Sequence, residues 1–454
     1  MLGTTKPPYT LALLAALLRQ RGQDVRLVDL TASKSSVADL MRQLDADGFA
    51  PTLIVFPSTT PTLHADTQAM QELKTRYGAP LVCFGPHAST TPGESMARAS
   101  AVDAMCVGEP EDAILELAAL SSVNEIGNVA SLTYRRGDEV IPHRAHGSFA
   151  GFLDAPVPAW DLLDVSQYSL PMVNKSYVII ETSRGCPYTC DFCVAPIHQG
   201  HIFRERSATS IVDEMAYMVR QHGVKFFYLW GDTVTLNVKS FSAICEEIIA
   251  RQLNVQWFGN ARADNLQDSS FVDRLKRSGC WMLALGIETE SDDTRKDMMK
   301  RLESKKIRIA LKNMRASAVR SFGFFILGYP GEDVQALDRT IAYAIELDPD
   351  FANFYPAVPY PGTDLYNKAK RDGILASEDW TKMEYSYYLM NGNGLNEQIV
   401  MAAVNRAKRR FFLRPKYLAR HFGDVIKLAT TKFPVAWSIG TRMIFGTKIT
   451  DAKV

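Results

Sequence analysis

Residues 177–193 read YVIIETSRGCPYTCDFC, and the fold is read outward from this stretch. Its first six residues are largely apolar, with Val178, Ile179 and Ile180 β-branched, the pattern of a buried strand. Cys186, Cys190 and Cys193 follow with the spacing C-x3-C-x2-C. Downstream the strand pattern recurs at residues 225–230, 255–260, 282–287, 321–327 and 351–357, with a helical pattern between each pair. In the segment 210–222, Ile211, Met215, Met218 and Val219 share one face and Gly223 marks the stop. Six consecutive βα units predict an open, partial (β/α)6 barrel. The residues just past each strand are polar: the cysteine loop, Gly231-Asp232-Thr233, Ala261-Arg262, Glu288-Thr289, residues 328–332 and residues 359–363. Parallel barrels carry their active sites at that end.

Upstream, residues 1–125 show a second run of alternating elements. Helices are expected over 9–21, 37–44, 64–77 and from Glu111. Strands are expected over 24–30, 52–56, 80–84 and 104–107. This is the pattern of a doubly wound parallel sheet, so the whole chain is α/β. Ser58, Thr59, Thr60, Gly85, Pro86, His87, Gly108 and Glu109 fall at its strand ends, where such sheets bind ligands. Residues 126–172 break the pattern and read as a linker, with a hairpin turning at Gly137-Asp138. The barrel domain is expected over 173–385. A helical, basic extension over 386–454 carries Arg406, Lys408, Arg409, Arg410, Arg414, Lys416 and Arg420. These cations read as a solvated helix packed on the barrel. The alternative is peripheral membrane contact, with delivery of a lipid substrate.

Composition narrows the function classes. Hydrophobic residues at 46% and charged residues at 22% describe an ordinary globular protein. A formal net charge of +1 gives no footprint for nucleic acid. No secretory signal and no apolar run long enough to span a membrane is visible, so a cytoplasmic location is expected, with membrane association as the variant.

Three cysteines on one loop leave one corner of a [4Fe–4S] cluster open for a ligand. A disulfide framework fails, because the other four cysteines, Cys83, Cys106, Cys245 and Cys280, are scattered through apolar runs. A zinc site stays open as an alternative, since His198 and His201 follow closely and could complete three cysteines and a histidine.

With these motifs in place, residues 177–363 resemble the radical S-adenosylmethionine superfamily. The cysteine spacing and the aromatic Phe192 before the third cysteine carry the resemblance. It implies that the open iron chelates S-adenosylmethionine and that reduction releases a 5′-deoxyadenosyl radical. It also implies cofactor-binding roles for Phe192, Gly231, Asp232, Arg262, Gly286 and Glu288. Asp232 would accept from the methionyl amino group, although Trp230 replaces the first glycine of the family's Gly-Gly-Glu. Glu288 would face the ribose and Arg262 the carboxylate. The N-terminal layout resembles the subclass with a cobalamin-binding, Rossmann-like domain, through Phe84-Gly85-Pro86-His87-Ala88 and Val107-Gly108-Glu109-Pro110-Glu111. No Asp-x-His-x-x-Gly motif is present, so no histidine is expected below the cobalt. No strand precedes Lys6-Pro7-Pro8, so the domain is expected to be one strand short.

The resemblance implies a cobalamin-dependent C-methyltransferase acting on a lipid, tetrapyrrole or natural product, or alternatively a ring-forming or rearranging enzyme. A reductant such as flavodoxin or ferredoxin is implied as partner. Tyr329, Glu332, Tyr355 and Tyr360 are the candidate substrate-side residues. A transfer-RNA methylthiotransferase is disfavoured, because Cys83 and Cys106 are too few for a second cluster.

Overall fold

The computed structural model describes residues 6–170, 173 and 175–424. Its first sheet is built on β1 (Ile54–Pro57), β2 (Leu81–Phe84) and β3 (Ala104–Cys106), parallel and adjacent in that order. Every residue of β2 and β3 is buried, as unbroken apolar runs require in a sheet covered on both faces. Cys83 and Cys106 are part of that core. The helices Tyr9–Gln20, Val37–Ala46, Leu63–Tyr77 and Glu111–Ala119 accompany it.

Two expectations change here. The hairpin of β4 (Leu132–Arg136) and β5 (Glu139–Ile141) does turn at Gly137, with φ +57°. It is not linker, however. β4 pairs antiparallel with β3 and extends the first sheet, because Leu132, Thr133 and Tyr134 are buried. The stretch expected as a strand over 24–30 forms no ladder. Val25 and Leu27 are half-buried between exposed neighbours. Asp29 then caps the short helix Leu30–Ser33, accepting from the Ala32 N–H at 2.9 Å, and also accepts from the Tyr168 hydroxyl at 3.0 Å.

The second sheet holds all six expected strands: β6 (Val178–Glu181), β7 (Phe226–Trp230), β8 (Gln256–Ala261), β9 (Cys280–Glu288), β10 (Arg320–Leu327) and β11 (Phe351–Pro356). They run parallel in sequence order, β6 to β11. Helices Ala208–His222, Val238–Ala250, Ser269–Arg277, Ser304–Ala316 and Val334–Leu347 connect them. Gly223 closes the first of these at φ +65°.

Helix Glu397–Phe412 lies on this sheet through Val400, Ala403, Val404, Ala407 and Phe411. Asp348 gathers Arg420 at 2.9 Å, Arg414 at 3.0 Å and Lys416 at 3.4 Å, and Asp338 holds Arg406 at 2.8 Å. Four of the cations that suggested a membrane-facing surface therefore bind the barrel. The rest of the basic extension, 425–454, lies outside the described residues. Among the described residues no helix is long and apolar enough to cross a membrane.

The two sheets share packing. Val358, Trp380, Met383 and Leu389, which follow the last barrel strand, complete the core around Leu81, Cys83 and Met105.

Candidate cofactor site

The loop leaving β6 is set by a short antiparallel pairing of Ser183–Arg184 with Arg204–Glu205. Gly185 then takes φ +82°, and a side chain there would land on the Ile202 carbonyl, so only glycine fits. Backbone bonds fold the loop: Cys186 N–H to Gly200 O at 3.1 Å, Cys193 N–H to Cys190 O at 3.1 Å, and Asp191 N–H to Met298 O at 3.1 Å. All three thiols are free, and each lies within electrostatic reach of another of the three. Burial pushes them up, that of Cys193 to about 12; Lys300 and Arg262 oppose this at Cys190. Metal-bound thiolates therefore need neutralising charge, and two cations stand beside them. His198 does not complete a zinc set with them. Its Nδ1 turns to Ser89 Oγ at 2.9 Å, and His201 is exposed. Among the described residues no three His, Cys, Asp or Glu side chains converge closely enough for a single metal ion.

The residues at the next strand ends surround the loop. Gly231 follows β7, and a Cβ there would meet Ser183 Oγ. Asp232 is half-buried, and its Oδ2 is buried with no hydrogen-bond partner. Burial, with Glu181 and Glu109 adding like charge, raises its carboxyl to about 6. Arg262, after β8, lies 3.7 Å over the Tyr188 ring. Its guanidinium forks onto Asp264 at 2.9 and 3.1 Å and reaches Lys300 O at 3.1 Å. At the end of β9 a bulge sets Glu288 at φ +66°. Glu288 pairs with Lys300, and a side chain on Gly286 would strike both partners. Phe192 lies 6.0 Å from Lys300 Nζ.

Lys300 carried no sequence signal. It enters the site because Met299 and Arg301 on either side both take left-handed backbone, φ +55° and +50°. Lys6 was missed too. The residue is exposed, but its Nζ sits 3.2 Å over the Trp230 ring, and desolvation there lowers its ammonium to about 7.

Of the substrate-side candidates, two belong to the frame instead. Tyr329 is buried, and its hydroxyl donates to Asp191 Oδ2 at 2.5 Å and Asp297 O at 3.1 Å, tying the cysteine loop to β10. Glu332 is buried and accepts from the Gly328 and Tyr329 N–H groups at 2.9 and 3.0 Å and from Thr289 Oγ1 at 2.9 Å. The Tyr329 hydroxyl and both Glu332 oxygens are thus already engaged by protein groups. Tyr355 stacks on Tyr385 at 4.7 Å, and Tyr360 lies within electrostatic reach of Tyr385. Tyr385, 56% exposed and unremarked in the sequence, lies within electrostatic reach of Glu288 and Cys193.

In the first domain, Gly85 takes φ +113° with its Cα packed against Ser58, whose carbonyl a Cβ would approach to 2.9 Å. Gly108 takes φ +88° against Gly147. The residues beside them reach the segments that flank the cysteine loop, Ser89 to His198 at 2.9 Å and Glu109 to Arg184 at 3.4 Å. His87 is buried and bonded at both nitrogens, Nδ1 to Thr60 at 3.1 Å and Nε2 to Ser95 at 3.0 Å, so neither is free for a metal. Glu109 is buried among Arg184, Arg204 and the Phe149 N–H. Ser58 Oγ is buried without a partner, and Thr59 is exposed; Pro86 opens the short helix Pro86–Thr90.

A Radical SAM superfamily model matches residues 180–344, and a B12 binding domain model matches residues 2–118. The chain is 28% identical to an uncharacterized methyltransferase of Pyrococcus horikoshii, over 94% of each chain. It is 26% identical to the anaerobic magnesium-protoporphyrin IX monomethyl ester cyclase of Cereibacter sphaeroides, over 90% of this chain and 67% of the relative. In fold it is similar to TsrM of Kitasatospora setae, a radical S-adenosylmethionine methyltransferase, with a TM-score of 0.69 and 17% identity over 81% of this chain and 76% of that one. The two domains imply a [4Fe–4S] cluster, S-adenosylmethionine and cobalamin. The residues fit them: three free thiols on one loop, the unpartnered Asp232 Oδ2 beside it, and the unpartnered Ser58 Oγ at the end of β1. With its B12-binding domain in front and its six-stranded parallel sheet behind, the chain belongs to the radical S-adenosylmethionine enzymes that carry a cobalamin domain.

Proposed function

We propose that this enzyme is a cobalamin-dependent C-methyltransferase acting on an unactivated carbon, with Cys186, Cys190 and Cys193 as the cluster ligands. The observation that carries the reading is the contact between the strand-end loops of the two domains. Arg184 and Arg204, on either side of the cysteine loop, both pair with Glu109, past β3, and Asp232, past β7, lies within electrostatic reach of the same carboxylate. The similarity to a methyltransferase along nearly the whole of both chains supports the same reading. When bound, the cluster supplies the electron that opens S-adenosylmethionine to a carbon radical, and cobalamin carries the methyl group. The protein's part is to bind and orient. Asp232 Oδ2 takes the methionyl ammonium, an ionic bond that its unpartnered state leaves open. Glu288, fixed by Lys300, stands toward the ribose, and Arg262 with Tyr188 closes the carboxylate side. Tyr355, Tyr360 and Tyr385 line the substrate's approach with aromatic surface and exclude water.

Ring closure is the second reading, favoured by the similarity to the magnesium-protoporphyrin cyclase over most of this chain. Product balance separates them. The enzyme is reconstituted anaerobically with iron, sulfide and hydroxocobalamin, reduced with flavodoxin, and given tetrapyrrole and polycyclic lipid acceptors. Methyl transfer releases S-adenosylhomocysteine together with 5′-deoxyadenosine; ring closure releases 5′-deoxyadenosine alone. Release of neither across the acceptor set, with no 5′-deoxyadenosine even in slow uncoupled turnover, would sink both readings.

A further inference from the structure

The cysteine loop is held from both sides by the first domain. Before it stands Arg184, two residues ahead of Cys186 and only 2% exposed. Its guanidinium meets Glu111 at 2.7 Å and Glu109 at 3.4 Å, both from the first domain, and Glu181 of β6 at 2.9 Å. Arg204, on the strand paired with Ser183–Arg184, also binds Glu109. After the loop comes the helix Ala195–Gln199, and the first domain holds that as well. Ser89 Oγ is 2.9 Å from His198 Nδ1, and His146 Nε2 donates to the Ile197 carbonyl at 2.7 Å.

These contacts run straight into the glycine loops at the ends of β2 and β3. Ser89 Oγ donates to the Gly85 carbonyl at 3.0 Å and accepts from the Gly108 N–H at 3.0 Å. Its hydrogen is thereby used, so the bond to His198 is donated by Nδ1. Glu109 is the residue after Gly108, and Gly147, next to His146, bridges to Gly108. A buried cluster of three carboxylates and an arginine adds little net stability over an apolar replacement. It does demand one geometry, because a planar guanidinium fork meets all its acceptors only in a single orientation.

We propose that Arg184 and Ser89 are positioning residues that clamp the cysteine loop to the cobalamin-side loops, so that occupancy of one cofactor site tightens the other. The inference rests on the assignment of the cluster to the three cysteines and not on methyl transfer. Whatever orders the Gly85 and Gly108 loops orders Ser89 and Glu109, and through them both ends of the cysteine loop. By linkage the effect runs equally in reverse.

The test uses the full-length enzyme reconstituted with iron and sulfide. A ferrous chelator is added with and without hydroxocobalamin, and iron loss is followed by absorbance. In the wild type, hydroxocobalamin slows the loss about five- to tenfold, the low end of site-to-site coupling. In Glu111→Gln and Ser89→Ala this protection falls to about twofold or less. Ser89→Ala removes one hydroxyl and keeps the measurement available should the buried charge change prevent folding. A merely structural role would lower the thermal midpoint of the variants and leave the protection intact, and that result overturns the clamp. Equal iron loss from wild type with and without hydroxocobalamin overturns it as well. Wild type that takes up no more iron than Cys190→Ala would instead overturn the cluster assignment, and the clamp with it.

Discussion

An ionised carboxylate without a partner is unstable in a buried site, and Asp232 Oδ2 has none. Its carboxyl lies at about 6 against an ordinary 3.8. The folded state therefore holds a proton that the unfolded chain gives up, and stability falls as pH rises from about 4 to about 6. The full shift corresponds to about 3 kcal/mol above that window. Asp232→Asn should raise the thermal midpoint of the cofactor-free protein by a few degrees at pH 7.5. The gain should shrink below pH 6 and vanish near pH 4, as followed by calorimetry. The same variant should bind S-adenosylmethionine at least tenfold more weakly at pH 7.5, the scale of one lost charge-assisted bond. Cys190→Ala should take up less iron on reconstitution and release no 5′-deoxyadenosine, checked by iron analysis and chromatography; full turnover would sink the cluster assignment. The cysteines and Asp232 stand out in the sequence because each falls next to a strand whose apolar run announces itself. Lys300 does not, because left-handed backbone at Met299 and Arg301 brings it in, and neither residue type signals that conformation.

At the scale of elements, β9 shows how a strand end sets a buried charge pair. The bulge between Gly286 and Glu288 turns the carboxylate toward Lys300, and Gly286 leaves the space in which they pair. Gly286→Ala should keep the sheet, since its neighbours in β9 remain paired, while separating Glu288 from Lys300. The expected result is unchanged far-UV circular dichroism with S-adenosylmethionine affinity reduced roughly tenfold, measured by equilibrium dialysis. The six barrel strands could be read from sequence because apolar runs separated by helices have one parallel solution. The segment 24–30 has the same alternation and makes no ladder, since alternation reports burial on one side and says nothing of a partner. The hairpin was legible as a hairpin but not as part of the first sheet. Its pairing with β3 is a contact across sequence, fixed by the burial of Leu132 and Tyr134.

For the whole molecule, charge decides how the far end of the chain is fastened. Asp348, at φ +49°, collects Arg414, Lys416 and Arg420. Asn tolerates left-handed backbone, so Asp348→Asn removes the charge without adding strain. It should lower stability by about 1–3 kcal/mol, seen as an earlier thermal or urea midpoint, with the loss growing smaller at high salt. Domain docking was not legible, because its partners are far apart in sequence: Glu111 and Arg184 are separated by 73 positions. Nothing local distinguishes those carboxylates from a solvated helix start.

Trp380 gives this closure a consequence in time. The His87 ring meets it edge-on at 4.5 Å, and Arg98 lies over it at 3.8 Å. The first domain thus waits, with part of its core open, for residues that are added only after the barrel strands. Its interior is not finished before the chain of the second domain is made. Nor is the cobalamin domain a cassette: grafted onto another barrel without a counterpart of Val358, Trp380, Met383 and Leu389, it would carry an unfinished interior into its new host.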